Sequence, residues 1–139
     1  MLETQRTQIF PILAPEEIAR VRTFGRLRRF AAGERVFRAG KASPGVYVVL
    51  SGMIRITDCD SRGRELVVVE HGAGAFCGEL SELSCGRSFF DALAVSETQA
   101  LEIDAGRLQV LLTKEAALGE KLMRAMILRR LGPPLGAAT

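Results

Sequence analysis

Phe76-Cys77-Gly78-Glu79-Leu80-Ser81-Glu82-Leu83-Ser84-Cys85-Gly86-Arg87-Ser88-Phe89-Phe90-Asp91-Ala92-Leu93-Ala94-Val95 is the stretch on which the reading of this chain turns. A loop ends at Gly74, Gly-Glu-Leu opens a short helical turn, and the polar loop Ser84-Cys85-Gly86-Arg87 leads into a strand-like run. Free backbone N–H groups at the start of such a turn make an anion site. Gly78 lets an anion approach the backbone closely, and Glu79 offers a fixed acceptor for a hydroxyl.

Upstream, short segments are separated by turn signals at regular spacing. Val46-Tyr47-Val48-Val49-Leu50 is a β-branched run bounded by Ser51-Gly52, and Met53-Ile54-Arg55-Ile56-Thr57 alternates after it. Ser61-Arg62-Gly63-Arg64 reads as a hairpin turn returning through Glu65-Leu66-Val67-Val68-Val69-Glu70. Such spacing predicts an all-β barrel or jelly roll. Before it, Pro15 followed by Glu16 and Glu17 suits a helix start, with Ile12, Leu13, Ile18 and Val21 as its inward face and an end near Gly25. After the second run of strands, Asp104 is placed to cap a helix through Leu108, Val110, Leu111 and Leu112.

The next helix, over residues 115–131, carries two apolar stripes. Leu118, Leu122, Ala125 and Met126 form one, and Met123, Ile127 and Leu131 form the other on roughly the opposite side. One stripe therefore seeks a partner outside the barrel. Gly132-Pro133-Pro134 stops the helix, and residues 133–139 read as tail.

Phe76-Cys77-Gly78-Glu79-Leu80 resembles the first half of the phosphate-binding cassette of the cyclic-nucleotide-binding domain family. That family includes catabolite activator proteins and the regulatory subunits of cyclic-AMP-dependent kinase. Ala31-Ala32-Gly33-Glu34-Arg35-Val36-Phe37-Arg38-Ala39-Gly40 and Tyr47-Val48-Val49-Leu50-Ser51-Gly52-Met53-Ile54-Arg55-Ile56 resemble its turn-and-strand signatures, so the likeness spans roughly residues 10–131. It implies a mainly β fold, a β-roll or jelly-roll barrel with an N-terminal helix and a C-terminal helix pair. It also implies positive φ at Gly33, Gly40 and Gly52. The domain expected is 1–132, with an N-terminal helical segment at 10–24, the β-roll at 25–104, its cassette at 76–95 and C-terminal helices at 105–132.

In the family the cassette Glu holds the ribose 2′-hydroxyl and an Arg pairs with the cyclic phosphate. Carried over by position, Glu79 is the sugar ligand. The second half departs from the pattern: aligning Ala92 and Ala94 with the family's small residues puts Ser88 where the Arg belongs and Arg87 one residue early. A one-residue slip in a strand turns a side chain to the other face. A shorter loop restores Arg87 to the phosphate but puts Asp91 at a buried apolar position, which favours the first register. The ligand-binding set implied is Phe76, Gly78, Glu79, Leu80, Ser81, Arg87, Ser88 and Phe89, with cyclic AMP or cyclic GMP as the default ligand. The alternative is a pocket filled by Phe89 or Phe90, leaving a module for dimerisation or docking.

Composition bounds the rest. The chain has 139 residues, 47% hydrophobic and 25% charged, with net charge +3, which suits one folded domain. Sixteen Arg stand against three Lys, but they are scattered. Cys59, Cys77 and Cys85 follow no metal spacing, and a reducing cytoplasm is the expected location. The single histidine, His71, is too few for a cupin-type metal site or a base-assisted nucleophile and is read as a surface or turn residue. A non-enzyme without metal or cofactor is expected. The family's dimers imply a homodimer through the helix at 115–131, with a fused or separate effector domain. No membrane partner is expected, and the few residues after the last helix lead to the expectation that this chain does not bind DNA. The run Leu122-Met123-Arg124-Ala125-Met126-Ile127-Leu128-Arg129-Arg130 and the Ser-Cys-Gly-Arg-Ser loop resemble domains of this family found ahead of bacterial thioredoxin-reductase-type flavoproteins.

Overall fold

The computed structural model of the chain describes residues 10–40, 45–59, 61–77 and 90–130. Among these, helix α1 (Pro15–Arg22) precedes strands β1 (Arg26–Phe30), β2 (Arg35–Phe37), β3 (Val46–Ser51), β4 (Ile54–Cys59), β5 (Glu65–His71), β6 (Phe76–Cys77), β7 (Asp91–Ala94) and β8 (Thr98–Ile103). Helices α2 (Ala105–Lys114) and α3 (Ala116–Arg130) follow. The strands form two four-stranded antiparallel sheets, ordered β1-β8-β3-β6 and β2-β7-β4-β5. This is the mainly β, jelly-roll-like architecture the turn spacing predicts.

Strand alternation gives the first sheet two different faces. Val46, Val48, Phe76, Leu101 and Ile103 point to the helices and meet Leu13, Val21, Leu108, Leu111, Leu118, Leu122, Ala125 and Met126. Phe30, Tyr47, Val49, Cys77 and Ala100 point the other way and meet Phe37, Ile54, Ile56, Ala92 and Ala94 of the second sheet. The barrel interior therefore lies between the sheets, and the helical layer covers one side.

The helices begin where their chemistry allows. Pro15 opens α1, and Glu17 ties it down by accepting from the Ala14 N–H at 2.8 Å and from Lys121 Nζ of α3 at 2.9 Å. Asp104 caps α2 through the Arg107 N–H at 2.8 Å, as its position predicts. Of the two stripes of α3, Leu118, Leu122, Ala125 and Met126 are buried; in the other, Ile127 is 44% exposed, Met123 is half-buried, and Leu131 lies outside the described residues.

Several expectations are corrected. Helix α1 ends at Arg22, and α3 spans Ala116–Arg130, because Glu115 caps α2 instead of opening α3. Ile12 is not inward: it is 62% exposed, because the segment around it is held in an extended course by the Leu13 N–H donating to Gly74 O at 2.8 Å. Leu66, Val67 and Val68 of the edge strand β5 are largely exposed, so their β-branched pattern marks strand preference more than burial. Gly33, Gly40 and Gly52 all have positive φ (85°, 79° and 86°), as the resemblance implies. Gly74 has φ 86° as well, and a Cβ there would lie 2.8 Å from Ile12 Cγ2 and 3.1 Å from Leu13 O. Only glycine suits this turn, which seats the N-terminal segment beside β6.

Candidate ligand site

The two ends of the cassette are anchored in different sheets. Its entry, β6, pairs with β3 through Tyr47↔Cys77 and Val48↔Phe76. Its exit, β7, sits in the second sheet between β2 and β4, with Ala92 opposite both Phe37 and Ile56. Of the candidate ligand residues, Phe76 is fully buried and points toward the helices. Gly78, Glu79, Leu80, Ser81, Arg87, Ser88 and Phe89 lie outside the described residues, as do Cys85, the segment 1–9 and the tail.

The exit shows which side chains face the barrel. Ala92 and Ala94 are fully buried, whereas Asp91 is half-buried, accepts from the Ala39 N–H at 2.9 Å and lies 3.5 Å from Arg35. Ala92 and Ala94 are thus the inward residues of β7, and Asp91 does not take a fully buried position. Phe90, just ahead of them, packs half-buried against the barrel interior.

The wall beside the cassette is aromatic and then ionic. Tyr47 stands between Phe30 (6.0 Å, edge-on) and Phe37 (6.2 Å, stacked). Its hydroxyl donates to Glu102 Oε2 at 2.8 Å, and the same carboxylate receives Arg26 and Arg28, each at 2.7 Å. Burial, and then the neighbouring Glu102 carboxylate, keep the Tyr47 phenol protonated well above its usual range. Cys77, Tyr47, Glu102 and Arg26 form one register row across the first sheet. Arg26 and Arg28 are thus committed to Glu102, and Arg55 to Glu70 at 2.7 Å.

The helix-facing side of the entry holds a cluster the sequence did not announce. The Arg129 guanidinium of α3 lies 4.2 Å from the Phe76 ring centroid and 5.0 Å from that of Phe10. Phe10 also meets His71, at 5.8 Å. His71 is no surface residue: it is 3% exposed at the end of β5, and burial, then the charge of Arg129, push its pKa down to about 3. These four side chains come from four separated segments, so no local period could reveal them.

Among the described residues, no group of three or more His, Cys, Asp and Glu is placed to hold a metal ion, and no helix is long and apolar enough to cross a membrane. Residues 27–115 match the family model of the cyclic nucleotide-binding domain. The cyclic AMP receptor protein of Thermus thermophilus is 30% identical over 95 residues, which is 68% of this chain and 44% of that protein. A CRP-like cAMP-activated global transcriptional regulator of Mycobacterium tuberculosis is 27% identical over 124 residues, 89% of this chain and 55% of that protein. The crystal structure of the Thermus thermophilus catabolite activator protein superposes with a TM-score of 0.75 at 28% identity, covering 89% of this chain and 58% of that one.

By name these relatives are a receptor, a transcriptional regulator and an activator. They also overturn the expectation that DNA is not a partner: the Mycobacterium protein is a transcriptional regulator, and this chain spans about half the length of either curated relative. The number of residues after α3 therefore says nothing about DNA.

Proposed function

Because the chain belongs to the cyclic nucleotide-binding domain family, we propose that it is a ligand-sensing regulatory domain whose ligand is a cyclic nucleotide, cyclic AMP or cyclic GMP. In this reading Gly78, Glu79 and Leu80 supply the anion nest and the sugar contact, with Arg87 as counter-charge. Ser81, Ser88 and Phe89 complete the lining, and Phe76, which points toward the helices, backs it from behind. The ligand reorganises residues 78–89, and the change passes to α3, whose exposed stripe at Ile127 meets a second copy of the chain or an effector. The domain spans 1–132, works in the cytoplasm and catalyses nothing itself. In the whole protein its output is control of transcription, with DNA among the partners.

One observation supports this reading: the cassette is entered from β6 of one sheet and left through β7 of the other, and Arg26 and Arg28 of the first sheet are already paired with Glu102. A ligand-dependent change there moves the entry strand β6, which packs directly under α3.

Titration with cyclic AMP and cyclic GMP, followed by calorimetry and thermal melting, tests the proposal. A ligand at 100 times its Kd should stabilise the fold by about 2.7 kcal/mol. Glu79→Ala should abolish that gain while leaving the ligand-free melt within about 0.5 kcal/mol. No shift with either nucleotide at millimolar concentration sinks the sensor reading. The second reading then takes over: Phe90, packed against the interior cluster, favours a filled pocket in a module for dimerisation or for docking to an effector such as a reductase domain.

A further inference from the structure

The Arg129 cluster belongs to neither the sugar nor the phosphate contacts proposed above. Phe76 is the first residue of the cassette and Arg129 lies in the last turn of α3, 53 positions later. The guanidinium stacks over the Phe76 ring at 4.2 Å and over Phe10 at 5.0 Å, so one cation lies close to two rings from different segments. Phe10 is in turn backed by His71, which is buried and neutral at physiological pH. Phe10 is also tethered two ways: the segment that carries it is pinned to Gly74 by the Leu13 N–H, and Gly74 donates to Val49 O at 2.8 Å on β3. Three of the four groups are therefore fixed to the sheet framework, and the fourth is the end of the signalling helix.

We propose that Arg129 is a positioning residue that latches the last turn of α3 onto the cassette entrance, so that displacement of Phe76 and release of the helix end are one event. A planar guanidinium suits this task because both contacts are with ring faces, which a point-charge ammonium meets less well. The latch is broken by a shift of either ring by more than about an ångström or two, since cation–ring attraction fades beyond roughly 6 Å from the centroid. Its use in signalling rests on the sensor reading above, but the physical coupling needs no ligand.

The test is hydrogen exchange on the ligand-free chain, comparing wild type with Arg129→Leu, Arg129→Lys and Phe76→Leu. Arg129→Leu should speed exchange at the β6 amides roughly tenfold, and Phe76→Leu should do the same at residues 127–130, with α2 unchanged. Arg129→Lys should fall between wild type and Arg129→Leu. Because Arg129 and Phe76 touch, the mark of the latch is the graded result: partial rescue by Arg129→Lys with α2 unchanged, which a general loss of packing would not give. Faster exchange confined to the mutated element, or an equal rise across all elements, overturns the latch. A second arm separates the two proposals: if wild type binds neither cyclic nucleotide yet the reciprocal loosening appears, the latch stands and the ligand reading falls.

Discussion

The two faces of the first sheet are filled by different kinds of side chain. Toward the helices it presents Val46, Val48, Leu101 and Ile103, and the helices answer with Leu108, Leu111, Leu118, Leu122 and Met126. Toward the second sheet it presents Phe30, Tyr47 and the small Ala100, and the answer is Phe37, Ile54 and Ile56 with two alanines, Ala92 and Ala94. The aliphatic face is an interlock of many similar pieces, which holds helices at a fixed spacing. The interior is a few large rings set against very small residues, so its volume is decided at a handful of positions. The difference teaches where each face is vulnerable: one to loss of bulk, the other to gain of it.

The largest expected effect breaks the aliphatic face. Leu122→Ala removes a fully buried side chain from the centre of α3 and should cost about 2–5 kcal/mol in urea unfolding. On the other face the sensitive change is the reverse. Ala94→Leu adds bulk opposite Ile54 in a fully buried position and should cost about 1–3 kcal/mol, while the same enlargement at exposed Ala117 should cost almost nothing.

Acid probes the seam where β5 and β6 meet α3. The pKa of His71 is lowered on folding to about 3 from 6.5, so the unfolded chain takes up the proton first. Its contribution is fully present above about pH 6.5 and is lost as pH falls toward 3, by at most about 1.4 kcal/mol per pH unit. Comparing wild type with His71→Gln from pH 7 to pH 4 isolates it, since only wild type should show this slope. Glu17 acts in the same direction in both proteins: burial raises its pKa, but the Ala14 N–H and Lys121 prevail and leave it lowered. If the two proteins lose stability in parallel, His71 is not the group responsible.

The smallest effect sharpens the comparison at the edge of the interior. Glu102 is nearly buried, but Arg26 is largely exposed. Arg26→Ala should therefore cost no more than about 1 kcal/mol, whereas Glu102→Ala strands both Arg28 and the Tyr47 hydroxyl and should cost about 2–4 kcal/mol. Similar losses in the two variants would show that the solvent-facing arginine matters more than its exposure suggests.

Much of this was legible in the residues because it is local. Glycines at corners, alternation in β3 and β4, the Asp104 cap and the two stripes of α3 are all written within a few positions of where they act. The inward direction of Ala92 and Ala94 was legible in the same way. What was missed depends on distant partners. Ile12 followed helical spacing but lies outside α1, and His71 was expected at the surface or in a turn but is buried at the end of β5, with the Phe10 ring against it. Tyr47 and Glu102 are 55 positions apart, and nothing in either neighbourhood announces their hydrogen bond. Within the ligand set, the sequence named the cassette by its motif, yet only the burial and direction of Phe76 are established among the described residues.

Among the described residues strand β1 has its one ladder partner in β8, and the longer-range of the two ion pairs that fasten them, Arg26 to Glu102, joins residues 76 positions apart. At roughly 5–20 residues per second of synthesis, β1 leaves the ribosome several seconds before β8 exists. The edge that Glu102 closes must therefore wait, and it is the last part of the barrel a growing chain can complete. Folding of this chain should be slow for its size, paced by closure of that one long loop.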